Sequence, residues 1–524
     1  MGVLILGVGR IEIYDTTLRD GAQTTGVAFS LSDKVKITKK LDGLVDYIEG
    51  GWPSANQKDL EYFKEARALK LTSKISAFGS TMKVGLSPEE DQNLTTLLEV
   101  ADVVAIFGKS WGLHVKDVLR TTPSENLRLI RESVDFLKRN GATVIYDAEH
   151  FFDGYAADRK YAMKTLEAAE RGSDVIVLCD TNGGRLPAEI FKVVKDVRRR
   201  IGKPIGIHAH NDAGCAVANT LMAVDAGARH VQGTVNGLGE RAGNADLTSV
   251  LPNLKLKMGA KFRDLRKLTE ISDYVYELAN LRHDPYKPYV GRYAFSHKGG
   301  IHIDAILKNT RSYEHVDPNI VGNRRIIFVS DQSGKASIVA KADEFGFKLQ
   351  KSDPKVEEML RAVKEHEGEG YQFENADASL YLLMLEKLGK GRSLFDITAW
   401  TSIIHGDGER VTADGTVMMK VGDKIIHTAS QGNGPVNALD LALRKALKEV
   451  YPRAEGVRLT GYRVKEIDAE EGTAANVRVI IDFSNGGESW STVGVSTNIL
   501  EASKKALLDG YRYFLLRGRG SNKR

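Results

Sequence analysis

The chain has 524 residues, too many for one ordinary domain, and we expect a catalytic unit of about 250 residues with smaller parts attached. Hydrophobic residues make up 42% of it and charged residues 27%, a mix that is typical of globular proteins and excludes a disordered or fibrous one. The net charge of +5 suits anionic small substrates, and it is too weak to indicate a nucleic-acid partner.

Cysteine content and hydropathy indicate the compartment. Two cysteines, Cys179 and Cys215, cannot build a disulfide framework, and neither has a second cysteine at metal-site spacing. The apolar start of the chain reaches a charged segment within ten residues and has no basic leader, which argues against a signal peptide or a membrane span. We therefore expect a cytoplasmic protein without a membrane partner.

The first half of the chain alternates short β-branched runs with amphipathic helical segments, the pattern of repeated βα units. The strand-like runs lie at 11–15, 45–50, 74–79, 102–108, 143–149, 174–180, 204–210 and 229–235. Near-continuous apolar strands are buried on both faces, and eight units within about 250 residues favour a closed barrel over an open doubly wound sheet. We predict an α/β fold, a (β/α)8 TIM barrel within residues 1–280.

A connector is predicted at 281–368. It begins with a segment rich in Tyr, Pro and His at 284–302 and continues with helical stretches near 333–365. The polar segment 351–370 has the composition of a linker. We therefore expect small helical subdomains after the barrel.

Residues 369–524 contain an apparent duplication. Three strand-like runs lead into a helical segment, and the pattern occurs twice, with Asn437 and Leu447 corresponding in spacing to Asn498 and Leu508. Two βββα units explain this most simply, and they predict a C-terminal α+β domain. Such a pair could bind a regulatory ligand, form a dimer or only pack, and we favour the regulatory interpretation.

The candidate chemistry lies where the predicted strands end, because the active sites of this architecture lie at the carboxyl ends of the strands. His208 and His210 end the seventh run, and residues i and i+2 of a strand face the same way, so both imidazoles can reach one ion. A His-x-His pair elsewhere is usually an ordinary polar pair. Here Asp20 and Asn244 follow other strands, and the set suits Mg2+, Mn2+ or Zn2+.

Substrate-binding candidates lie beside these residues. A bound ion can polarise the carbonyl of a 2-oxo acid, and Arg19 can place a permanent positive charge where an oxyanion develops. The alternative for Arg19 is a salt bridge to Asp20 or Asp15. Gln23, in the same polar segment, is assigned to substrate binding. Thr181 can bind a substrate carboxylate, although it could also be an ordinary cap.

The fifth strand ends with two acidic residues, Asp147 and Glu149. We expect only one of them to face inward, and we choose Glu149 as the catalytic residue. The alternative for Glu149 is that it orients a metal ligand or Arg19. Cys179 has no positive partner in the sequence and is interpreted as strand packing rather than as a nucleophile.

Three spaced motifs now support a resemblance. TLRDGAQ (17–23), HAHND (208–212) and GLGERAGNA (237–245) together resemble the 2-isopropylmalate, homocitrate and citramalate synthases, whose barrel is shared with 3-hydroxy-3-methylglutaryl-CoA lyase. GNGPVNALDLAL (432–443) is similar to their regulatory domain. Finer sequence segments such as YDAEHFFDGY (146–155) are most similar to the citramalate synthase branch. The resemblance implies a Claisen-type condensation of acetyl-CoA with pyruvate that gives citramalate and CoA in isoleucine biosynthesis.

The resemblance also implies residue roles. Asp20, His208, His210 and Asn244 match the metal positions, Arg19 the contact to the 2-oxo acid oxygen and Thr181 the contact to its carboxylate. His302 and Tyr313 match catalytic residues that the connector brings to the acetyl-CoA side, over the barrel of the partner subunit in a homodimer. Because the resemblance is to the citramalate synthase branch, and citramalate lies on the way to isoleucine, isoleucine is the expected feedback inhibitor, bound by residues 370–524.

Two departures from the family pattern leave alternatives open. The fifth-strand motif reads DAEH where isopropylmalate synthases have a motif closer to SxEDA, which puts the partners of Glu149 in doubt. Trp52 replaces a phenylalanine of that branch and would shrink the acceptor pocket in favour of pyruvate. The alternatives are 2-isopropylmalate or homocitrate synthase, with another 2-oxo acid, and a hydroxyacyl-CoA lyase, against which the duplicated C-terminal module argues. A metal-holding amino-acid sensor would require the barrel residues to be relics.

Overall fold

A computed structural model describes residues 8–261, 263–467, 472 and 474–517, and it contains two compact units. The first unit extends to Phe295 and includes Val316–Arg324, and the second comprises Ser296–His315 and the described residues from Arg325 onward. The apolar start of the chain and the outer ends of the predicted domains 1–280 and 369–524 lie outside the described residues. The predicted boundaries at 280 and 368 stay predictions.

The first unit is a closed barrel of eight parallel strands, which confirms the predicted fold. The strands are β1 (Glu12–Asp15), β2 (Tyr47–Gly51), β3 (Lys74–Ser80), β4 (Val103–Lys109), β5 (Thr143–Glu149), β6 (Val175–Asp180), β7 (Ile205–Ala209) and β8 (His230–Gly233). Each pairs with the next, and β1 closes the barrel against β8, with Glu12 opposite His230 and Asp15 opposite Gly233. Every strand begins and ends within two residues of its predicted run.

Helices surround the strands. They are α1 (Leu31–Leu41), α2 (Gln57–Arg67), α3 (Gln92–Val100), α4 (Pro123–Arg139), α5 (Phe151–Ala157), α6 (Arg159–Glu170), α7 (Pro187–Arg198), α8 (Ala216–Asp225) and α9 (Leu247–Leu256), followed by α10 (Leu268–Leu278). Polar side chains such as Ser30, Asp91 and Thr122 cap their first turns by accepting backbone N–H bonds. Apolar stripes such as Ile130, Val134 and Leu137 of α4 are buried against the sheet.

Side-chain alternation determines which strand residues can meet inside the barrel. Ile145, Val177 and Cys179 belong to an inner cluster, whereas their neighbours Val144 and Leu178 pack outward against the helices. Successive strand residues point to opposite faces. Any inner-facing polar residue near a carboxyl end therefore points into the barrel mouth.

The second unit begins with a two-stranded sheet and four helices. These are β9 (Ser296–His297), β10 (Ile326–Ile327), α11 (Gly300–Lys308), α12 (Lys335–Glu344), α13 (Pro354–Gly368) and α14 (Asp377–Lys387). The predicted linker at 351–370 is wrong, because most of it is α13. Asp353 caps that helix by accepting a bond from the N–H of Lys355, and Pro354 occupies its first turn, where a proline suits a helix.

Two antiparallel βββα units complete the chain, as the duplication predicts. They are β11 (Asp396–Gly406), β12 (Val411–Val421), β13 (Lys424–Gly432) and α15 (Pro435–Val450), then β14 (Arg458–Glu466), β15 (Val477–Ser484), β16 (Ser489–Ser496) and α16 (Ile499–Arg517). None of the helices described is long and apolar enough to cross a membrane.

The correspondence between the two units differs from the expected one by three residues. The hydroxyl of Thr428 donates to the carbonyl of Ala442 at 2.7 Å, and Thr492 donates in the same way to Ala506 at 2.7 Å. This pairing makes Glu501, and not Asn498, the counterpart of Asn437. A shift of nearly one helical turn keeps a similar apolar stripe, which is why spacing alone chose the wrong register.

Candidate active site

Three buried metal-type ligands meet at the barrel mouth. Asp20 follows β1, His208 lies in β7 and His210 directly follows it. The Oδ2 atom of Asp20 is 3.4 Å from Nε2 of His208 and 3.9 Å from Nε2 of His210, and the two Nε2 atoms are 3.3 Å apart. All three side chains are buried, and one ligand atom of each lies within 4.8 Å of the others. The structure thus brings together three of the four residues predicted to bind a metal ion.

The charges of this cluster are set by its surroundings. Burial raises the pKa of Asp20, but Arg19 and the hydrogen bond with His208 outweigh it and hold that pKa well below its usual range. Burial lowers the pKa of His208, yet the hydrogen bond and charge of Asp20 raise it overall. Burial and the neighbouring His208 lower the pKa of His210 to about 3. An ionised carboxylate and a neutral imidazole are the forms that bind a metal ion.

Gln232 orients His208, and the sequence analysis missed it. Nδ1 of His208 lies 2.9 Å from Oε1 of Gln232, whose Nε2 donates to Oδ1 of Asp147 at 3.0 Å. Because the amide oxygen can only accept, Nδ1 of His208 carries a proton, and loss of the second proton, from the Nε2 atom that faces Asp20, would leave a lone pair there for an ion. A polar residue at an inward position of the apolar run 229–235 was the available signal.

Asn244, the fourth predicted ligand, lies next to His210. It pairs with His210 in an isolated bridge after β8, and its side-chain oxygen and nitrogen are buried without a hydrogen-bond partner in the described part of the chain. Buried amides are normally hydrogen-bonded, so an orphan amide beside two imidazoles and a carboxylate indicates a missing ligand. The four residues fit a divalent ion with oxygen and nitrogen ligands.

Arg19 is held by two carboxylates. Nη1 lies 3.0 Å from Oδ2 of Asp20, and Nε donates to Oε2 of Glu49 at 2.6 Å. The guanidinium carbon is 3.8 Å from the centre of the Phe78 ring. The salt bridge to Asp20 that was the alternative for Arg19 is therefore present, whereas Asp15 instead accepts bonds from Thr17.

Glu49, in the middle of β2, was not singled out in the sequence. It is fully buried, and its carboxylate accepts bonds from Tyr14 at 2.7 Å and from Thr16. Buried charges are stable in proteins when they are paired and hydrogen-bonded. Glu49 therefore fixes the guanidinium of Arg19 at the edge of the cluster formed by Asp20, His208 and His210.

A cavity of about 260 Å³ opens above these residues. One wall is aromatic: the rings of Trp52 and Phe78 are 5.7 Å apart edge to face, and those of Phe78 and Phe107 are stacked at 5.5 Å. The polar side of the lining includes Arg19, Asp20, Gln23, Asp147, Glu149, Thr181, His208, His210, Glu240 and Arg241. A small carboxylic acid fits a space of this size, with its polar end toward the cluster.

The strand-five expectation was wrong in one respect. Asp147 and Glu149 both line the cavity, because residues i and i+2 of a strand share a face. Burial, together with the charge of Glu49, raises the pKa of Asp147 to about 7. Glu149 is paired with Lys109, a residue that the sequence analysis did not single out.

The remaining barrel candidates, Gln23, Thr181 and Cys179, line the same cavity. Gln23 is exposed to the cavity. The hydroxyl oxygen of Thr181 accepts a bond from the N–H of His150 at 2.8 Å, which leaves its proton available to a substrate carboxylate. Burial raises the pKa of the Cys179 thiol well above its usual value, which fits packing rather than nucleophilic chemistry.

His302 and Tyr313 belong to the second unit. Their ring centres are 4.3 Å apart, and both side chains are exposed. The pair can therefore act together on a ligand that approaches this surface. Its expected approach to a barrel stays a prediction.

Comparison with known proteins covers most of the chain. Residues 10–275 match the HMGL-like family, residues 289–370 the homocitrate synthase post-HMGL domain-like family and residues 374–515 the LeuA allosteric (dimerisation) domain. The chain is 50% identical to the (R)-citramalate synthase of Geobacter sulfurreducens over 96% of its length and 97% of the relative's. It is 48% identical to that of Sulfolobus acidocaldarius, over 96% and 97%. It is 31% identical to the 2-isopropylmalate synthase of Methanocaldococcus jannaschii, over 97% and 95%.

Proposed function

Because the chain belongs to the HMGL-like family and, within it, to the citramalate synthases, we propose that it condenses acetyl-CoA with pyruvate to give citramalate and CoA. The observation that carries this proposal is an identity of 45% to 50% with five curated (R)-citramalate synthases over nearly the entire chain. The cavity supports it, since a small acceptor with a carboxylate fits beside the buried donor cluster.

The acceptor is bound by residues of the barrel mouth. Asp20, His208, His210 and Asn244 would hold a divalent ion, which when bound polarises the carbonyl of the 2-oxo acid. Arg19 keeps its charge beside the same position because Glu49 holds it, and it stabilises the negative oxygen that develops. Thr181 donates its hydroxyl proton to the acceptor carboxylate, and Gln23 contributes a further polar contact.

The reaction needs a base, a new carbon–carbon bond and hydrolysis of a thioester. Glu149 of the barrel is assigned to the base network that accepts a proton from the methyl group of acetyl-CoA, and the family resemblance assigns His302 and Tyr313 to the same network. The resulting carbon bonds to the carbonyl carbon of pyruvate, whose oxygen ends as a hydroxyl. Water then cleaves the thioester, so that acetyl-CoA, pyruvate and water give citramalate and CoA.

His208→Ala tests the site. CoA release that depends on pyruvate should be measurable in the wild type and should fall at least a hundredfold in the variant, because the ion loses a ligand. His283→Ala is the matched control, since that histidine is an exposed residue of the first unit paired with Asp273. No CoA release with any 2-oxo acid would contradict the proposed function.

The preference for pyruvate rests on the size of Trp52, whose indole also donates to Asn93 at 2.8 Å and is thereby fixed in the aromatic wall. Trp52→Phe should raise turnover of 2-oxoisovalerate relative to pyruvate. A panel of pyruvate, 2-oxoisovalerate and 2-oxoglutarate measures this, and it also tests the 2-isopropylmalate and homocitrate alternatives. An unchanged preference in Trp52→Phe would remove the size argument.

The second unit supports a proposal about regulation. Its match to the LeuA allosteric (dimerisation) domain favours a homodimer in which isoleucine is the feedback inhibitor of an isoleucine-forming pathway. Calorimetry with isoleucine and leucine tests this, and binding of neither would leave a dimer-forming role. The two free cysteines among the described residues are consistent with a reducing cytoplasm.

A further inference from the structure

Lys109 is a cation at the barrel mouth to which the proposed reaction gives no role. It is the last residue of β4, and the strand register places it opposite Glu149, the last residue of β5. Val103, Ala105 and Phe107 of the same strand belong to the inner cluster or pack against it, so Lys109 shares their inward face. Lys109 and Glu149 therefore extend side by side into the mouth.

The two side chains are paired and shielded from solvent. Nζ of Lys109 contacts Oε2 of Glu149, and their side chains are 14% and 23% exposed. The ammonium also lies 5.1 Å from the centre of the Phe107 ring, a distance at which an aromatic face attracts a cation. A lysine this far from water is stable when its charge is paired, so the contact restrains both side chains.

Other cations near the cavity are engaged elsewhere. Arg19 is bound by Asp20 and Glu49, and Arg241 lies 2.8 Å from Asp212. Within the described ranges, the ion pairs of Glu149 involve Lys109 alone.

His114, Tyr146 and Cys179, which also lie near Glu149, supply no second cation. His114 follows β4, and its burial, together with the charges of His150 and Lys109, lowers its pKa. Tyr146 lies on the same strand as Glu149 and Cys179 on β6, and burial raises the pKa of both well above their usual values. These groups are neutral near pH 7.

We propose that Lys109 is a positioning residue that acts through Glu149. Its ammonium fixes the direction of the Glu149 carboxylate toward the cavity, where that carboxylate takes part in accepting a proton from the methyl group of acetyl-CoA. The inference rests on the proposed function, and it adds a residue that only the strand register of the barrel identifies.

Lys109→Met and Lys109→Arg test the proposal in the full-length protein. Lys109→Met should lower kcat by about 10- to 100-fold with the KM for pyruvate within about threefold, the range of a mispositioned acid–base group. Lys109→Arg should restore most of kcat, because a guanidinium can still pair with the Glu149 carboxylate.

Lys138→Met is the matched control. It removes another lysine–carboxylate pair of the barrel, in which Nζ lies 2.7 Å from Oδ1 of Asp174, and it should change none of these quantities. Wild-type kinetics in Lys109→Met, a rise in the KM for pyruvate as large as the fall in kcat, or a Lys109→Arg variant no better than Lys109→Met would overturn the proposal. Absence of pyruvate-dependent CoA release in the wild type would overturn the proposed function as well, so the two failures are distinguishable.

Discussion

Replacing Gln232 with methionine should weaken metal binding without removing a ligand. The side chains are similar in size and shape, but methionine cannot accept from Nδ1 of His208 or donate to Asp147, contacts that are 2.9 and 3.0 Å long in the wild type. Neutral His208 would then be free to carry its proton on Nε2, which leaves no lone pair on that atom for a metal ion. Metal affinity should fall even though Asp20, His208, His210 and Asn244 all remain.

The size of the effect follows from the burial of the pair. Gln232 is fully buried and His208 nearly so, so the loss of their hydrogen bond leaves a buried polar atom without a partner. A buried donor left without a partner costs about 1–3 kcal/mol. Since each 1.4 kcal/mol is about tenfold in a dissociation constant, Gln232→Met should raise the Kd for Mn2+ by about 10- to 100-fold.

Titration of the metal-free protein with Mn2+, followed by electron paramagnetic resonance or calorimetry, measures that constant. Gln232→Glu is the control, since a carboxylate still accepts from Nδ1 of His208, and its Mn2+ affinity should lie closer to that of the wild type. Circular dichroism confirms that both variants fold. A Kd for Gln232→Met within twofold of the wild-type value would refute the view that Gln232 sets the tautomer of His208.

Three further predictions concern stability. Gly243→Ala should cost more stability and Mn2+ affinity than Gly408→Ala, because both glycines have φ near +90° but only at Gly243 would a Cβ lie 2.0 Å from a backbone oxygen; equal losses would contradict this. Lys34→Met should lower the free energy of unfolding in urea by about 3–5 kcal/mol, since it strands the buried Asp59, and a loss under about 1 kcal/mol would show the pair to be dispensable. Burial raises the pKa of Asp509 to about 6, so its stabilising contribution is present below about pH 4 and is lost as the pH rises through 6. Asp509→Asn should therefore make the thermal midpoint less dependent on pH between pH 4 and 7. An unchanged dependence of the midpoint on pH would argue against this role.

The parts of the site that depend on local geometry could be predicted from the sequence. His208 lies in β7, His210 directly follows that strand, and Asp20 lies in the segment after β1, so period-two alternation and the strand-end rule of barrels were sufficient. The same alternation, applied consistently, would have placed Asp147 and Glu149 on one face. The sequence therefore contains enough information to place both carboxylates in the barrel mouth.

Contacts between strands could not be predicted in the same way. Glu49 reaches Arg19 from β2, and Lys109 reaches Glu149 because two strands share a register that no single segment encodes. In the second unit, the spacing of the sequence aligns the two repeats three residues out of register because their apolar stripes are alike, and the hydrogen bonds of Thr428 and Thr492 distinguish the alignments. Register is a property of the assembled sheet, set by packing between distant segments.

The pairing of β1 with β8 has a consequence for biosynthesis. Asp20 leaves the ribosome long before His208, His210 and Asn244, so a nascent chain holds an incomplete set of ligands until almost the entire barrel has been synthesised. Long-range closure of this kind is slow, and partly formed barrels expose strand edges that can aggregate. A divalent ion that bound the full set would stabilise only chains that have closed, so the supply of that ion would affect the yield of folded protein as well as its catalysis.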